Sequence, residues 1–245
     1  MNLISIVLPV YNEENRIETC LKKIFFWISQ KKKIKYEIII VNDGSNDRTV
    51  FLINKINKIL KLKIKIFNVN HSGQFFAICF GVKKSISNYP IIIEADLSTP
   101  LFYIDKFYKY VPGYDIITGS RFLKKSKIFN KPLYRKAISF FFLLFFKMMF
   151  KTKLSDPQLS FKIYNKKIFL NYSKSFYSKL DGMRSTEILI KFELGQKKIK
   201  EIPIEYTYFP SERNVKKSKI ILLLLNCFWS LFTIWINLRI KRSKK

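Results

Sequence analysis

Glu94 and Asp96 stand one residue apart at the end of the apolar run Ile91-Ile92-Ile93, and Ser98, Thr99 and Pro100 follow them. In a strand, residues i and i+2 point to one side, so the two carboxylates are expected to project together. Two carboxylates in one small site repel unless a cation neutralises them. Mg2+ or Mn2+, held by one or two carboxylates plus substrate phosphate oxygens, suits that spacing. The pattern has other uses. An acid-x-acid pair at a strand end also caps helices. Paired carboxylates cleave glycosides too, but adjacent positions on one face leave little room for a sugar between them.

Two more polar stretches follow apolar runs in the same way: Pro9-Val10-Tyr11-Asn12-Glu13 and Asn42-Asp43-Gly44-Ser45. Asp43 could accept hydrogen bonds from a base or ribose, as acids after a second strand do in dinucleotide folds. Glu13 could do the same, or could be a carboxylate in the first turn of a helix. Gly73-Gln74 opens a helical stretch, where glycine lets backbone approach phosphate and the N-terminus attracts it.

The elements that must position these residues alternate. Leu3 to Leu8, Tyr36 to Val41, Lys63 to Val69, Ile91 to Ala95 and Asp115 to Thr118 read as strands. Glu13 to Gln30, Asp47 to Leu60 and Gly73 to Ser87 read as helices, and Thr99 is placed to cap another with Pro100 at its first position. Continuous apolar strands between helices predict an α/β fold, a mostly parallel sheet with helices on both faces. Ligands in such sheets bind beyond the carboxyl ends of the strands, which puts the three polar stretches on one rim.

The second half differs. Ile138 to Phe150 holds six phenylalanines and one lysine, flanked by Lys131, Arg135, Lys136, Lys151 and Lys153. Thirteen residues are too few to span a bilayer; the run reads as a membrane-interface helix in preference to a core helix. A helix around Ser185 to Leu194 and a strand around Ile199 to Tyr206 follow a mixed segment. Ile220 to Leu238 is nineteen uncharged residues, about 28 Å as a helix against a hydrocarbon core of about 30 Å. Asn226, Ser230, Thr233 and Asn237 form one stripe down it, which suits a helix pressed against protein or lying in the interface. The expected organisation is a domain over 1–215 and a transmembrane or membrane-embedded helix over 218–240. Basic residues on both sides of that helix give no orientation.

A formal net charge of +29 on 245 residues favours anionic partners, whether nucleic acid, phosphorylated ligands or an anionic membrane surface. A nucleic-acid-binding surface would leave the acid pair and the apolar tail unexplained, so no nucleic acid is expected. Cys20, Cys79 and Cys227 form no CxxC pair and His71 is the lone histidine, which rules out a zinc site and points to buried thiols in a reducing compartment.

VLPVYNEEN (Val7 to Asn15), EIIIVNDGSNDRT (Glu37 to Thr49), EADLSTP and DIITGSRF (Asp115 to Phe122) together resemble the family 2 glycosyltransferases of GT-A fold. More narrowly they resemble the polyprenyl-phosphate sugar synthases, with ADLSTP nearest the dolichyl-phosphate glucosyltransferases. SDPQLSFKIY (Ser155 to Tyr164) and RSTEILIKFELGQKKIKEIPIEY (Arg184 to Tyr206) are similar to later segments of that branch. Three departures stand out. Glu94 replaces the first aspartate of the metal motif; Asn70-His71-Ser72-Gly73-Gln74 lacks the usual lysine and second glycine of the phosphate loop; Ser160 replaces a glycine. The resemblance implies transfer of glucose or a related hexose from a UDP- or GDP-sugar to a polyprenyl phosphate, with inversion, at a membrane whose cytoplasmic face carries the catalytic domain. It implies a metal at Glu94, Asp96 and Ser98, with catalysis at Asp96 and Arg121. Pro9, Tyr11, Glu13, Asp43, Gly73, Gln74 and Ala95 would bind the nucleotide-sugar, and Arg121, Arg135 and Lys162 the acceptor phosphate. The alternative role for Arg121 is a surface arginine after a strand, and Glu187 could orient the acceptor or merely favour a helix N-terminus. A catalytically impaired membrane scaffold, or the same fold with another acceptor, is the alternative.

Overall fold

The structure, a computed structural model, describes residues 3–31, 34–209 and 217–243, without the side chains of 217–221, 223 and 241–243. The strands are β1 (Leu3–Val10), β2 (Lys35–Asn42), β3 (Ile64–Asn68), β4 (Ile91–Ile92), β5 (Ile116–Ser120), β6 (Lys127–Phe129), β7 (Lys162–Tyr164), β8 (Ile199–Pro203) and β9 (Glu205–Thr207). Seven of them form one sheet in the order β3-β2-β1-β4-β7-β5-β8, and β6 pairs with β9 in a small second sheet. All pairings in the main sheet are parallel except those of β7, which runs antiparallel between β4 and β5.

Both faces of the sheet are buried, which explains the unbroken apolar strands. On β1, Ile4, Ile6, Leu8 and Val10 enter one core while Val7 enters the other; on β2, Ile38 and Ile40 oppose Ile39 and Val41. Helices α1 (Ile17–Ser29), α2 (Thr49–Leu60) and α4 (Tyr103–Tyr108) cover the first face. Helices α3 (Gln74–Lys84), α5 (Leu133–Phe150), α6 (Lys166–Tyr172), α7 (Asp181–Leu194) and α8 (Lys217–Ser243) cover the second. The chain winds from β1 to β3 in one direction and returns to β4 on the other side of β1. The carboxyl ends of β1 and β4 therefore flank a topological switch point, where α/β sheets bind ligands.

Several expected boundaries move. β4 stops at Ile92: Ile93 still donates to Val7 O, but Leu97 N then bonds to Glu94 O at 3.1 Å, with Leu97 at φ 49°. Glu94 and Asp96 therefore lie in a turn and not in the pleat expected of them. Thr99 is buried and caps nothing; successive bonds from Tyr103 N to Pro100 O and Ile104 N to Leu101 O wind the chain into α4, whose N-cap is Phe102. Glu13 precedes α1 instead of starting it: Arg16 N and Ile17 N close a turn on Glu13 O, and Arg16, at φ −123°, is the N-cap of the helix. β7 and α6 fill the stretch that reads as mixed, and the strand expected at Ile199 to Tyr206 is split between two sheets.

Helix α5 begins five residues earlier than expected. Phe142 and Phe146 enter the core, while Phe140, Phe141, Leu144 and Met148 are exposed along one face. Helix α8 packs on α5 and α7 through Leu231 and Ile234, with Phe145 and Phe228 edge to face at 4.8 Å. Its outer stripe, Leu222, Leu225, Trp229 and Phe232, is exposed and apolar. The polar stripe does not press on the domain as a unit: Ser230 is buried, but Asn226 is exposed. Thr233 Oγ1 donates to Trp229 O and Asn237 Nδ2 to Thr233 O, within the helix. The expected membrane helix over 218–240 lies partly outside the described side chains. Among the described residues no helix is long and apolar enough to cross a membrane.

Candidate functional site

A cavity of about 420 Å3 opens at the switch point, and Pro9, Tyr11, Glu13, Asp43, Gly73 and Gln74 all line it. Asp43 N donates to Val10 O, which ties the end of β2 to the end of β1. Gly44 makes the turn possible: it sits at φ 74°, and a Cβ there would lie 3.0 Å from His71 N. His71, absent from the sequence-based site, stacks on Tyr11 with ring centroids 4.1 Å apart and places Nδ1 2.9 Å from Asp43 Oδ2. Tyr11, His71 and Asp43 together offer a flat aromatic surface beside a buried carboxylate, a combination suited to a nucleobase.

The amides expected to grip phosphate are already engaged. Ser72 N and Gly73 N donate to the two oxygens of Asp43, and Phe75 N, at the start of α3, donates to Asp181 Oδ2 at 3.0 Å. Asp181 comes from α7, 106 residues from Phe75, and no local pattern announces it. Gly73 at φ 104° is required by that contact, because a Cβ would stand 2.4 Å from Asp181 Cγ. Gln74 instead turns toward the acid pair: its Nε2 donates to Glu94 Oε1 at 3.2 Å. Two departures from the usual motifs, the longer acid and the glutamine loop, thus meet.

Asp96 accepts from Ser98 N at 2.9 Å and from Ser98 Oγ at 2.6 Å, so Ser98 orients the carboxylate. Ala95 is buried between the two acids. Burial, then the charge of Asp96, pushes the Glu94 carboxyl above its usual range. Among the described residues no three His, Cys, Asp or Glu side chains gather as a metal site. A half-buried pair of repelling carboxylates still fits a divalent cation whose other ligands are phosphate oxygens.

Arg121 lies within electrostatic range of Glu94. Its Nε and Nη2 form a fork on Asp156 at 2.7 and 2.9 Å, and its own amide also donates to Asp156. The guanidinium lies 5.1 Å from the centre of the Tyr206 ring. Burial favours neutral forms of both partners, but their mutual charge and hydrogen bonds win: Asp156 is held below and Arg121 above its ordinary value. Glu201 on β8 fixes the arrangement by accepting from Ser155 N, Ser155 Oγ and Asp156 N. Neither Asp156 nor Glu201 was singled out from sequence, although the SDPQ and IKEIP segments that carry them were.

Beyond Arg121, at the start of α5, Arg135 lies between the rings of Tyr134 and Tyr208 at 5.8 and 5.2 Å. Lys131 donates to Ser139 Oγ at 2.6 Å. Burial, then the neighbouring Arg121, lowers the Lys131 ammonium to about 8, with Arg135 and Lys136 adding to the repulsion. Three cations thus converge where the carboxylate of Asp156 is already taken. Lys162 lies within electrostatic range of Asp156, Glu94 and Arg121 but is fully buried: it donates to Leu159 O and Ser185 Oγ, and burial pushes it to about 8.

Glu187 is also internal. It accepts from Tyr177 N and Ser178 N and pairs with Lys191 at 2.8 Å, fastening the segment that leads to Asp181. Glu187→Gln is expected to cost about 1–3 kcal/mol, the scale for an unsatisfied buried polar group. A lower thermal midpoint with a higher donor KM is the expected reading; an unchanged midpoint would contradict the fastening role.

A family model described as "Glycosyl transferase family 2" matches residues 5–172. A dolichol-phosphate mannosyltransferase of Pyrococcus furiosus is 31% identical over 137 residues, 56% of this chain and 38% of that protein. An undecaprenyl-phosphate 4-deoxy-4-formamido-L-arabinose transferase of Pectobacterium atrosepticum is 31% identical over 132 residues, 52% and 39% of the two chains. The chain thus spans about four-tenths of the length of these relatives. Among solved structures, a glucosyl-3-phosphoglycerate synthase of Mycobacterium tuberculosis bound to UDP superposes with TM-score 0.66 at 16% identity, covering 96% of this chain and 80% of that one. The same synthase with Mn2+, UDP and phosphoglyceric acid gives 0.67 at 14% identity, covering 96% and 78%. These likenesses establish the GT-A-like α/β fold. With well over half its length matched by the family model, the chain belongs to glycosyl transferase family 2.

Proposed function

We propose that the protein transfers glucose or a related hexose from a UDP- or GDP-sugar to a polyprenyl phosphate at a membrane surface, with inversion. The observation that carries this reading is one juxtaposition. Gln74 of the donor cavity reaches Glu94, Glu94 lies within electrostatic range of Arg121, and Arg121 neighbours Lys131, which neighbours Arg135 at the root of a helix with an apolar outer face. The names of the Pyrococcus and Pectobacterium relatives support a lipid-phosphate acceptor. The exposed stripes of α5 and α8 support membrane contact, and three free cysteines support a cytoplasmic catalytic face.

Tyr11, His71 and Asp43 would bind the nucleoside, leaving the diphosphate toward Glu94 and Asp96. These two would hold Mg2+ or Mn2+, which supplies charge neutralisation for the departing diphosphate. The acceptor phosphate, whose second pKa is about 6, is ionised near neutral pH and needs no strong base. Arg121, Lys131 and Arg135 orient it for attack on the face of the sugar opposite the leaving group, and orientation of this kind supplies much of the rate. Incubation with labelled nucleotide-sugars and a polyprenyl phosphate, followed by identification of the lipid product, tests the whole reading. Absence of a sugar-linked lipid with every donor would overturn it.

Arg135→Ala is expected to raise KM for the lipid phosphate more than for the nucleotide-sugar; equal effects would remove its acceptor role. Lys131 binds an anion only while protonated, so its contribution is present below pH of about 8 and fades above it. The pH profile of kcat/KM for the lipid phosphate should therefore fall above that value. Lys131→Arg, always charged, should move the fall to higher pH; an unmoved profile would exclude Lys131 from the acceptor site.

A further inference from the structure

A second cavity, of about 410 Å3, opens between the C-terminal ends of α5 and α7 and the last turns of α8. That volume lies within the range of about 300–1,000 Å3 typical of ligand pockets. Met149, Phe150, Leu194, Trp235 and Leu238 form an apolar wall. Lys151, Lys153 and Arg239, all exposed, stand at its mouth. The acid in its lining, Glu193, accepts from Lys153 N at 3.2 Å and so points at backbone. Among the described residues none of the three cations is in an ion pair.

Cations near helix C-termini stabilise the helix dipole, but that role needs no aromatic-lined cavity beside them. The cavity continues the exposed apolar surface. Trp229, Phe232 and Trp235 follow one another down α8 with centroids 5.9 and 6.1 Å apart, and the ladder ends at Arg239, 4.1 Å from the Trp235 ring. Met148, exposed, adjoins Met149 on α5. An apolar track that terminates in unpaired cations is complementary to an amphiphile with an anionic head.

We propose that this cavity binds an anionic glycerophospholipid, with its phosphate against Lys151, Lys153 and Arg239 and an acyl chain along the Trp235 wall. The site is separate from the acceptor cluster: Arg135, near the start of α5, and Lys151, its C-cap, are sixteen residues apart, about 24 Å at 1.5 Å per residue. Phosphate contacts at both ends would lay α5 flat along the headgroup layer. The proposal rests on the groove and not on the sugar-transfer reading, so its test reads lipid binding.

The full-length protein is titrated with phosphatidylcholine vesicles with and without phosphatidylglycerol. The triple variant K151Q/K153Q/R239Q is compared with K55Q/K58Q/K61Q, which removes the same charge from α2, a helix on the opposite face of the sheet. The first is expected to weaken binding to phosphatidylglycerol vesicles by about tenfold or more, and the second by about twofold at most. Equal losses would mean that binding merely follows net charge and would overturn the site, as would equal affinity for vesicles of phosphatidylcholine alone. Quenching by brominated phosphatidylglycerol should be smaller in Trp235→Phe than in Trp229→Phe; the reverse order would overturn the placement of the acyl chain. Circular dichroism checks the fold, and should the triple variant unfold, R239Q alone is read against K55Q by the same criterion. Sugar transfer in detergent should be unchanged in K151Q/K153Q/R239Q, and its loss would refute separation from the acceptor site.

Discussion

Asp96→Asn is expected to lower sugar transfer by about a hundredfold or more, the scale on which loss of one preorganised electrostatic contact is felt, while the protein stays folded. Asp96 lies in a turn, clasped by Ser98 through its amide and hydroxyl. An asparagine of the same shape keeps the bond from the Ser98 amide and can turn its own amide group to the hydroxyl. What it loses is the charge. Glu94 cannot take over both positions, because Gln74 already holds one of its oxygens. Removing Asp96 also relieves the repulsion on Glu94, so the variant should melt no lower than the parent. Paired measurement of turnover and thermal midpoint checks both halves. Transfer that persists undiminished with a chelator present would dispose of the metal reading, and a collapsed midpoint would reassign Asp96 to structure.

Arg121→Ala should be the most damaging single change to stability outside the apolar core. It strands Asp156, which is 1% exposed, and breaking one side of a buried pair costs about 3–5 kcal/mol. In a chain of this size that lowers the midpoint by roughly 6–20 °C. Arg121→Lys separates the roles: it keeps a positive charge near Asp156 but loses the two-pronged fork. It should melt several degrees above Arg121→Ala yet still show a raised KM for the lipid phosphate. Normal KM in Arg121→Lys would leave Arg121 a purely structural residue. The sign of the pH dependence follows from Asp156, whose carboxyl is held below its ordinary value. The stabilisation is complete above the unfolded carboxyl value, about 3.9, and is lost as pH falls through the lower folded one. Acid titration of the midpoint should show this loss in the parent and not in a protein carrying both Arg121→Ala and Asp156→Asn.

The same residues divide what was legible from what was not. Asp43, Glu13 and Gly73 were readable because each lies in a short polar stretch next to an element whose period is written in neighbouring residues, and the carboxyl-end rule then gathers them on one rim. Asp181 and Asp156 were not. Their partners lie 106 and 35 residues away, and a single hydrogen bond between distant segments has no period to detect. Lys162 shows what a motif leaves open: a basic residue in a suggestive segment whose ammonium the fold buries near Asp156 and Glu94. β7, three residues long, runs antiparallel in the middle of a parallel sheet, and no three-residue pattern distinguishes that from a loop.

The sequence by itself determined the strand–helix alternation, the double-faced apolar sheet, the rim and the motifs of a glycosyl transferase of family 2, because these follow from local periodicity and from short contiguous segments. Only the tertiary structure decided that Glu94 and Asp96 share a turn, that Asp43 and Asp181 occupy the phosphate-loop amides, and that Glu201 fixes Asp156 and thereby Arg121. It also decided which faces of α5 and α8 stay uncovered. Each of these depends on buried donors and acceptors finding partners far along the chain, and packing settles that choice only once the whole fold has closed.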